Sequence, residues 1–383
     1  MKKIAILVFF TVGFFVHVWA CTGLIAGKQA TVDGSVLVTY SADSHTLYGA
    51  LTSSPAADWP KGSMRSIVEW DTNKPLGEIE QVEHTYAVMG NMNEHQLTVV
   101  ESTWGGRPEL VDTTGIIDYG SLMQLALERA KTAREAIKVM TGLVKKYGYY
   151  SSGESFTIAD PNEAWILDLI GKGPGRRGAV WVAVRIPDDC IAGHANYPRI
   201  HKIPMDDKEN CLYSPDVISF AREMGYFDGL NKDFSFARAY SPADFGALRA
   251  CDARVWSFFR KYDSTMDNYL PYVNGESAEP FPLYVKPSRK LSVQDMKEAM
   301  RDHFEDTPFD MTQDVGAGPF KVPYRFRPMS FEVDGKSYCM ERAIATQQTG
   351  FTLVGQMRNW LPDPVGGVLW FGVDDANTCV YIP

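Results

Sequence analysis

Cys21 has the clearest potential for chemistry in this chain, because a predicted export signal, residues 1–20, ends directly before it. Two lysines follow the first methionine, residues 4–18 are almost wholly apolar, and the small side chains of Val18 and Ala20 precede the predicted cleavage point. Cleavage there would leave a thiol and a free α-amine on one residue. An α-amine titrates near pH ~7.7–8.0, so it can act as general base for the thiol beside it. Cys21 is therefore a candidate nucleophile that carries its own base.

Two other roles for Cys21 compete with this one. A cysteine directly after an export signal is often the acceptor of a lipid anchor, and it can also be an ordinary structural cysteine. A lipid anchor normally continues into a polar, flexible tether. Residues 22–27 instead read Thr-Gly-Leu-Ile-Ala-Gly, which is typical of a strand. The sequence after Cys21 therefore favours the nucleophile.

A second β-rich run could bring a carboxylate to Cys21. Asp33-Gly34 is a hairpin signal between the first strand and the run Ser35–Tyr40. A three-residue loop would place His45 opposite Cys21, with Asp43 diagonally across on the same face. A two-residue loop would turn Asp43 to the other face, because strand side chains alternate. The sequence leaves both registers open.

Seven short motifs follow one another along the chain: Cys21-Thr22-Gly23-Leu24-Ile25, Asp33-Gly34-Ser35, Ser41-Ala42-Asp43-Ser44, Gly90-Asn91-Met92-Asn93-Glu94-His95, Glu101-Ser102-Thr103, His194-Ala195-Asn196 and Ala253-Arg254-Val255-Trp256. Together, and in this order, they resemble the dipeptidase A family of N-terminal-nucleophile cysteine hydrolases. That family is related to penicillin V acylase and bile salt hydrolase. The resemblance runs from Cys21 to the C-terminus and rests on the order of the motifs, since none is specific alone.

The resemblance implies a role for several of these residues. It makes Cys21 the nucleophile and general base, and Asp43 the carboxylate that binds the new α-amine. It makes Asn196 a group that binds the oxyanion or orients the amine. The other oxyanion donor is expected to be a backbone N–H in the stretch Glu101-Ser102-Thr103.

Two arginines compete for a place near the nucleophile. Related acylases keep an arginine there, and the resemblance puts Arg254 at that place, with Arg249 as the alternative. One motif departs from the family: many relatives have Arg-Asn before a Glu-Asp pair, where this chain reads Tyr40-Ser41-Ala42-Asp43. Loss of that guanidinium removes a charge that would lower the pKa of the thiol. The thiolate must then be stabilised in another way, or form only as the amine takes its proton.

The composition excludes several classes of protein. The 383 residues are 45% hydrophobic, enough for a large core, and carry a net charge of −9. No basic run indicates a nucleic-acid partner or an anionic membrane surface. The other cysteines are widely spaced and fit neither a disulfide framework nor a metal site, so we expect no metal and no cofactor. These cysteines are Cys190, Cys211, Cys251, Cys339 and Cys379.

Strand-like and helical stretches predict an α+β fold. Thr132–Tyr147 is the strongest helix: Thr132 and Glu135 form a capping-box pattern, and apolar residues recur at helical spacing up to Gly148. A second helix is predicted at Ser121–Ala130. The order of strands, two helices and further strands suits a four-layer αββα sandwich, which the resemblance also implies. The predicted strands are Thr22–Ala26, Val36–Tyr40, Thr85–Met89, Leu97–Val100, Phe156–Ile158, Ala164–Ile170, Val180–Ile186, Val368–Val373 and Thr378–Ile382.

A single hydrolase domain is predicted over residues 21–383, with a loop-rich excursion around 263–290 that holds four prolines. Ser292–Asp295 predicts the start of a short helix, and Asp334-Gly335 predicts a hairpin. Relatives usually continue beyond the position of Pro383. We therefore expect either a short version of the fold or a C-terminal truncation that leaves a sheet edge uncovered.

These observations predict an exported cysteine dipeptidase, periplasmic or extracellular, that hydrolyses short peptides. Two alternatives stay open: an acylase that cleaves a non-peptide amide, and, in another class, a lipid-anchored binding protein without chemistry. Small peptides are the expected partners, no stable membrane insertion is expected after processing, and a homo-oligomer is compatible with the sequence. The identity of the preferred peptides has no signature in the spacing of residues, because fold does not fix function.

Overall fold

A computed structural model describes residues 21–44, 48–325 and 330–383, so the predicted signal segment and His45 lie outside the described residues. The fold class is α+β with antiparallel sheets, as predicted. The helices are α1 Tyr119–Arg129, α2 Ala133–Tyr147, α3 Val217–Glu223, α4 Phe236–Tyr240, α5 Ala253–Arg260, α6 Leu270–Val273, α7 Val293–Ala299 and α8 Asp363–Gly366. The strands are β1 Thr22–Ala26, β2 Val36–Asp43, β3 Ser53–Ser54, β4 Ala57–Asp58, β5 Met64–Val68, β6 Pro75–Glu80, β7 His84–Thr85, β8 Val88–Met89, β9 Met92–Asn93, β10 Thr98–Trp104, β11 Gly153–Ala159, β12 Ala164–Gly171, β13 Ala179–Ile186, β14 Ile191–His194, β15 Cys211–Tyr213, β16 Tyr284–Val285, β17 Ser330–Val333, β18 Lys336–Cys339, β19 Thr349–Met357 and β20 Val368–Val373.

Two large antiparallel sheets position the site. The first has six strands in the order β16-β14-β1-β2-β19-β20, and the second has eight in the order β15-β13-β12-β11-β10-β9-β8-β3. Strand β1 begins directly after Cys21 and lies between β14 and β2. The candidate nucleophile is therefore at the head of a central strand, where ladders of hydrogen bonds run along both sides.

Three hydrophobic clusters surround these sheets. One joins Ile25 of the first sheet to Val100 of the second, and so fills the space between them. Another joins Leu24, on the other face of β1, to side chains of α5 and α7. The third joins Val99 of the second sheet to α1 and α2. Because apolar side chains cover both faces of β1 and β2, these strands are buried at every position.

The connection between β1 and β2 is longer than the hairpin predicted at Asp33-Gly34. Residues 27–35 form a loop whose backbone pairs elsewhere: the N–H of Gly27 donates to the carbonyl of Cys190 (3.0 Å), and that of Gln29 to the carbonyl of Asp188 (2.8 Å). The Asp33 carboxylate accepts the N–H of Ser35 and so closes a local turn within the loop. The hairpin prediction was therefore right about the two strands and wrong about the turn.

The observed register settles which way Asp43 points. Thr22 pairs with Ser41, and Ala26 with Leu37. Continuing this register places Cys21 opposite Ala42, so the side chain of Asp43 lies on the other face of the sheet from the thiol.

Most of the longer predicted elements are confirmed, the predicted strand Thr85–Met89 is divided into the two short strands β7 and β8, and one predicted strand is wrong. Helix α2 begins after its N-cap Thr132, and Gly148, at φ +81°, ends it. The run 378–382 forms no strand: only Ile382 makes an isolated bridge, with Phe371. The N–H groups of Thr378 and Cys379 instead donate to the carbonyl of Asp375, which turns the chain there. Among the residues described, each helix is too short or too polar to cross a bilayer.

Candidate active site

The Cys21 thiol is enclosed at the start of β1. Its side chain is 3% exposed, and its Sγ lies 3.6 Å from the hydroxyl of Tyr40. Burial raises the pKa of this thiol, and the negative charges of Glu101 and Asp43 raise it further. The backbone of Asp43 and the Tyr40 hydroxyl act in the opposite direction and lower it. The surroundings therefore keep Cys21 protonated until a base acts on it.

Arg254 connects Cys21 to Asn196 in the candidate site. It projects from the start of α5, directly after a π-helical turn at 247–252. One guanidinium nitrogen donates to the Cys21 carbonyl (2.8 Å) and to the Thr22 hydroxyl (2.7 Å). The other donates to the carbonyl of Ala195 (3.1 Å) and to Oδ1 of Asn196 (2.8 Å). Burial lowers the pKa of Arg254 to about 10, so it stays charged at neutral pH.

Arg249 lies in different surroundings. Its guanidinium forms a two-pronged ion pair with Glu341, both N–O distances being 2.8 Å, and donates to Asn274. It also stacks 3.4 Å from the ring centroid of Phe309. Of the two arginines singled out in the sequence, the structure therefore brings Arg254 to Cys21.

The side-chain amide of Asn196 lies against the guanidinium of Arg254. The residue has φ +56°, a left-handed conformation that Asn adopts more readily than most residues, and its N–H donates to the Ser102 hydroxyl (3.2 Å). Because Arg254 donates to Oδ1, the amide nitrogen must face the other way, where Nδ2 donates to the Thr103 carbonyl (2.5 Å). Asn196 and Thr103, two residues singled out in the sequence, are therefore in contact with each other, and Asn196 is joined to Cys21 through Arg254.

The edge of β10 at Thr103 is open on the side of Asn196. Strand β9 pairs with β10 only at Thr98, so no strand of the described residues covers that edge at Thr103. In an antiparallel strand the N–H and C=O of one residue point to the same edge. Since the carbonyl of Thr103 points at Asn196, its N–H points there too, and two N–H donors lie side by side.

The Asp43 carboxylate is buried among donors on the far face of β2. It accepts hydrogen bonds from the hydroxyls of Thr349 (2.6 Å) and Ser41 (3.1 Å), and it forms an ion pair with Arg342. Arg342 is a site residue that the sequence analysis missed, since it lies 299 positions from Asp43 in the chain and carries no motif. A guanidinium therefore does accompany this carboxylate, although the motif around Asp43 lacks one.

Sequence patterns assign no role to a buried cluster that extends from the thiol, formed by Tyr40, Glu101 and Glu154. Tyr40 donates its hydroxyl proton to Oε1 of Glu101, and the Thr103 hydroxyl donates to Oε2 of Glu154 (3.0 Å). Burial raises the pKa of Tyr40 and of Glu154. The only sequence signal for this cluster was the Glu101-Ser102-Thr103 motif, because Glu154 reaches the site through strand pairing with Thr103.

His194 links the two sheets behind the site. Its Nδ1 lies 2.6 Å from the Ser102 hydroxyl and its Nε2 lies 2.8 Å from the Thr157 hydroxyl. Burial lowers the pKa of His194 to about 3, and the charge of Arg254 acts in the same direction. This histidine is therefore neutral at pH 7, and it fixes the Ser102 hydroxyl that accepts from Asn196.

Comparison with known proteins agrees with the order of motifs in the sequence. The model of "Peptidase family C69" matches residues 20–383. A probable dipeptidase of Salmonella dublin is 26% identical, over 95% of this chain and 80% of its own length. Dipeptidase A of Lactobacillus helveticus is 25% identical, over 94% of this chain and 74% of its own length. A dipeptidase of Bifidobacterium longum is 23% identical, over 94% and 70% respectively. The predicted resemblance is confirmed, and the chain belongs to peptidase family C69 as an enzyme similar to dipeptidase A.

Proposed function

We propose that this protein is a cysteine dipeptidase whose nucleophile is Cys21, exposed as the first residue by removal of residues 1–20. The observation that carries the proposal is the arrangement at the head of β1, where Arg254 binds both the Cys21 carbonyl and the side chain of Asn196. Membership of family C69 supports peptide hydrolysis, and the names of the matched relatives support dipeptides as the substrates.

The chemistry begins with transfer of the thiol proton to the α-amine of the same residue. The thiolate attacks the scissile carbonyl carbon, and a C–S bond forms while the carbonyl oxygen becomes an oxyanion. We assign the second N–H of the Asn196 amide and the backbone N–H of Thr103 to this oxyanion, because they lie side by side and Arg254 joins Asn196 to the backbone of Cys21. The Asp43 carboxylate is the group proposed to orient the amine.

The intermediate then collapses and the peptide bond breaks. The α-ammonium returns its proton to the leaving amine, which departs as the free C-terminal amino acid and leaves a thioester on Cys21. The amine next takes a proton from water, whose oxygen attacks the thioester. The C–S bond breaks, the acid is released, and the sulfur recovers its proton.

The proposal also includes the type of fold and the location of the protein outside the cytoplasm. Two sheets that share a core, with helices on their outer faces, support the four-layer αββα sandwich of the N-terminal-nucleophile hydrolases. The predicted signal segment supports export to the periplasm or the medium, followed by cleavage before Cys21.

Replacement of the nucleophile tests the proposal. Cys21→Ala should abolish dipeptide hydrolysis while leaving the thermal melt nearly unchanged, and Cys21→Ser should retain little activity, because a hydroxyl is the poorer nucleophile at neutral pH. Cys211→Ala is the matched control, since Cys211 is a thiol in β15 at the edge of the second sheet, outside the proposed chemistry, and it should keep wild-type rates. Wild-type turnover by Cys21→Ala would contradict the proposal.

The mass of the mature N-terminus tests the processing step. The active protein should begin at Cys21, and protein that retains residues before it should be inactive until they are removed. Full activity with an intact leader would contradict the α-amine as base. A diacylglyceryl mass on Cys21 would support the lipid-anchored alternative.

A further inference from the structure

A buried pair of carboxyl groups, Glu101 and Glu154, lies beside the nucleophile and has no part in the chemistry described above. The hydroxyl of Tyr40 is 3.6 Å from Sγ of Cys21 and donates to Oε1 of Glu101. Because O–H···O bonds span about 2.7 Å, this carboxylate oxygen lies at most roughly 6 Å from the sulfur. Glu101 is 2% exposed and Glu154 is fully buried.

The two carboxyl groups are in contact, and a proton on Glu154 lies between them. Two carboxylates in contact do not both ionise, and Oε2 of Glu101 and Oε1 of Glu154 accept no hydrogen bond from any other described group. Burial raises the pKa of Glu154, and the charge of Glu101 raises it further. Glu154 therefore keeps its proton and donates it towards Glu101, which also accepts from Tyr40.

No cation of the described residues neutralises Glu101. Some buried carboxylates in the protein are paired with an arginine, as Asp43 is with Arg342 and Asp252 with Arg199, and others, such as Asp168, accept backbone N–H groups instead. Within 21–44, 48–325 and 330–383, no lysine, arginine or histidine forms an ion pair with Glu101. An unpaired buried carboxylate is costly. The α-amine of Cys21 is already assigned to Asp43, so the position of Glu101 next to the reacting sulfur points to a cation that arrives with the ligand.

We infer that Glu101 binds the α-ammonium group of the peptide substrate and so restricts hydrolysis to the bond after the first residue. The inference rests on the proposed function, since it takes Cys21 as the nucleophile. In a peptide, the α-ammonium nitrogen lies about 2.5 Å from the first carbonyl carbon. An attacking sulfur approaches that carbon to about 3–3.5 Å, and an ammonium–carboxylate hydrogen bond adds about 2.8 Å.

These lengths agree with the distance in the structure. They allow a separation of up to roughly 9 Å between sulfur and carboxylate, and the separation through Tyr40 is within it. An N-acetyl group or a preceding residue would put a neutral amide where the ammonium belongs. It would leave Glu101 without a cation, and a site built for a buried charge rejects such an analogue.

Paired substrates test the inference. For free dipeptides, Glu101→Gln should lower kcat/KM roughly 10- to 100-fold, the range for a hydrogen bond to a charged group. For the N-acetyl forms of the same dipeptides, kcat/KM should change less than about 3-fold, so the preference for a free amino end largely disappears. Glu154→Gln is the matched control: it replaces a neutral acid by a neutral amide, and should leave the preference intact.

Other outcomes of this experiment have separate meanings. An equal fall for free and acetylated dipeptides would overturn the inference, because Glu101 would then act on the enzyme's own α-amine or on the thiol. Unchanged preference in Glu101→Gln would overturn it too. If wild-type protein hydrolyses no free dipeptide, the proposed function itself fails. Should Glu101→Gln melt below the assay temperature, Glu101→Asp, which withdraws the charge by one methylene, should weaken turnover of free dipeptides alone.

Discussion

Arg254 is the residue on which the geometry of the site depends most. A planar guanidinium can bind the Cys21 carbonyl with one nitrogen and Asn196 with the other, and no other side chain offers two such donors in a fixed fork. Its role in the proposed mechanism is positioning, since it acts on the oxyanion through the amide of Asn196.

Arg254→Lys should therefore reduce kcat with little change in KM. A lysine keeps the charge and loses the fork, so Asn196 is no longer fixed, and loss of one oxyanion donor costs about 10²–10³ in kcat. Steady-state kinetics on a free dipeptide measure the effect. Arg249→Lys is the control and should keep wild-type kcat, because Arg249 pairs with Glu341 away from the nucleophile. A rise in KM alone in Arg254→Lys would contradict the positioning role.

The site residues divide by whether local sequence can reveal them. Cys21, Asn196 and Arg254 stand in short motifs, and the structure brings all three together. Arg342 and Glu154 could not be found in this way. Each meets its partner through long-range packing or strand pairing, which leaves no spacing signature in the chain.

At the scale of elements, α2 shows what local sequence determines well. Its N-cap Thr132 accepts from the N–H of Glu135, while the Glu135 carboxylate accepts from Lys131, one residue earlier than a full capping box requires. Its apolar face joins the cluster on the outer face of the second sheet. The helix therefore stabilises the fold without contact with the site.

Removal of this cap should change stability and leave catalysis intact. Thr132→Ala is expected to lower the free energy of unfolding by about 1 kcal/mol, the usual effect of losing an N-cap oxygen. Urea unfolding and dipeptide kinetics on the same preparation measure both quantities. Thr132→Ser retains the oxygen and should match wild type. A change in kcat in Thr132→Ala would show that this layer affects the site.

Other elements depend on contacts that no local window contains. Asp33-Gly34 has the composition of a tight turn, but the loop around it pairs with the carbonyls of Asp188 and Cys190, more than 150 residues later. The apolar run at 378–382 resembles a strand, yet the turn at Asp375 leaves it only one bridge. Asp334-Gly335 was predicted correctly, because there the turn joins β17 and β18 directly.

At the scale of the whole molecule, the two sheets meet at His194. This residue of β14 contacts the hydroxyls of Ser102 on β10 and Thr157 on β11, so a single neutral imidazole joins both sheets. Protonation would add a charge to this fully buried position, beside the charged Arg254. The pH of the medium therefore acts on the packing of the sheets.

Stability should fall with acid through this histidine. The pKa of His194 is about 3 in the folded protein and about 6.5 in the unfolded chain. Below pH 6.5 the unfolded chain therefore binds a proton at this residue and the folded protein does not, which favours unfolding. The resulting loss should reach about 2 kcal/mol between pH 8 and pH 5. Urea unfolding of wild type and His194→Gln at several pH values measures it: the stability difference should narrow as pH falls. A stability difference between the two proteins that does not change with pH would contradict the assignment of this acid sensitivity to His194.

The central position of β1 also affects the durability of the proposed mature enzyme. First residues of most proteins fray, and exopeptidases trim what frays. Here the residues after Cys21 are paired with β14 on one side and β2 on the other. Trimming would require both ladders to open, so the end that does the chemistry should also be among the slowest parts of the backbone to exchange its amide hydrogens with solvent.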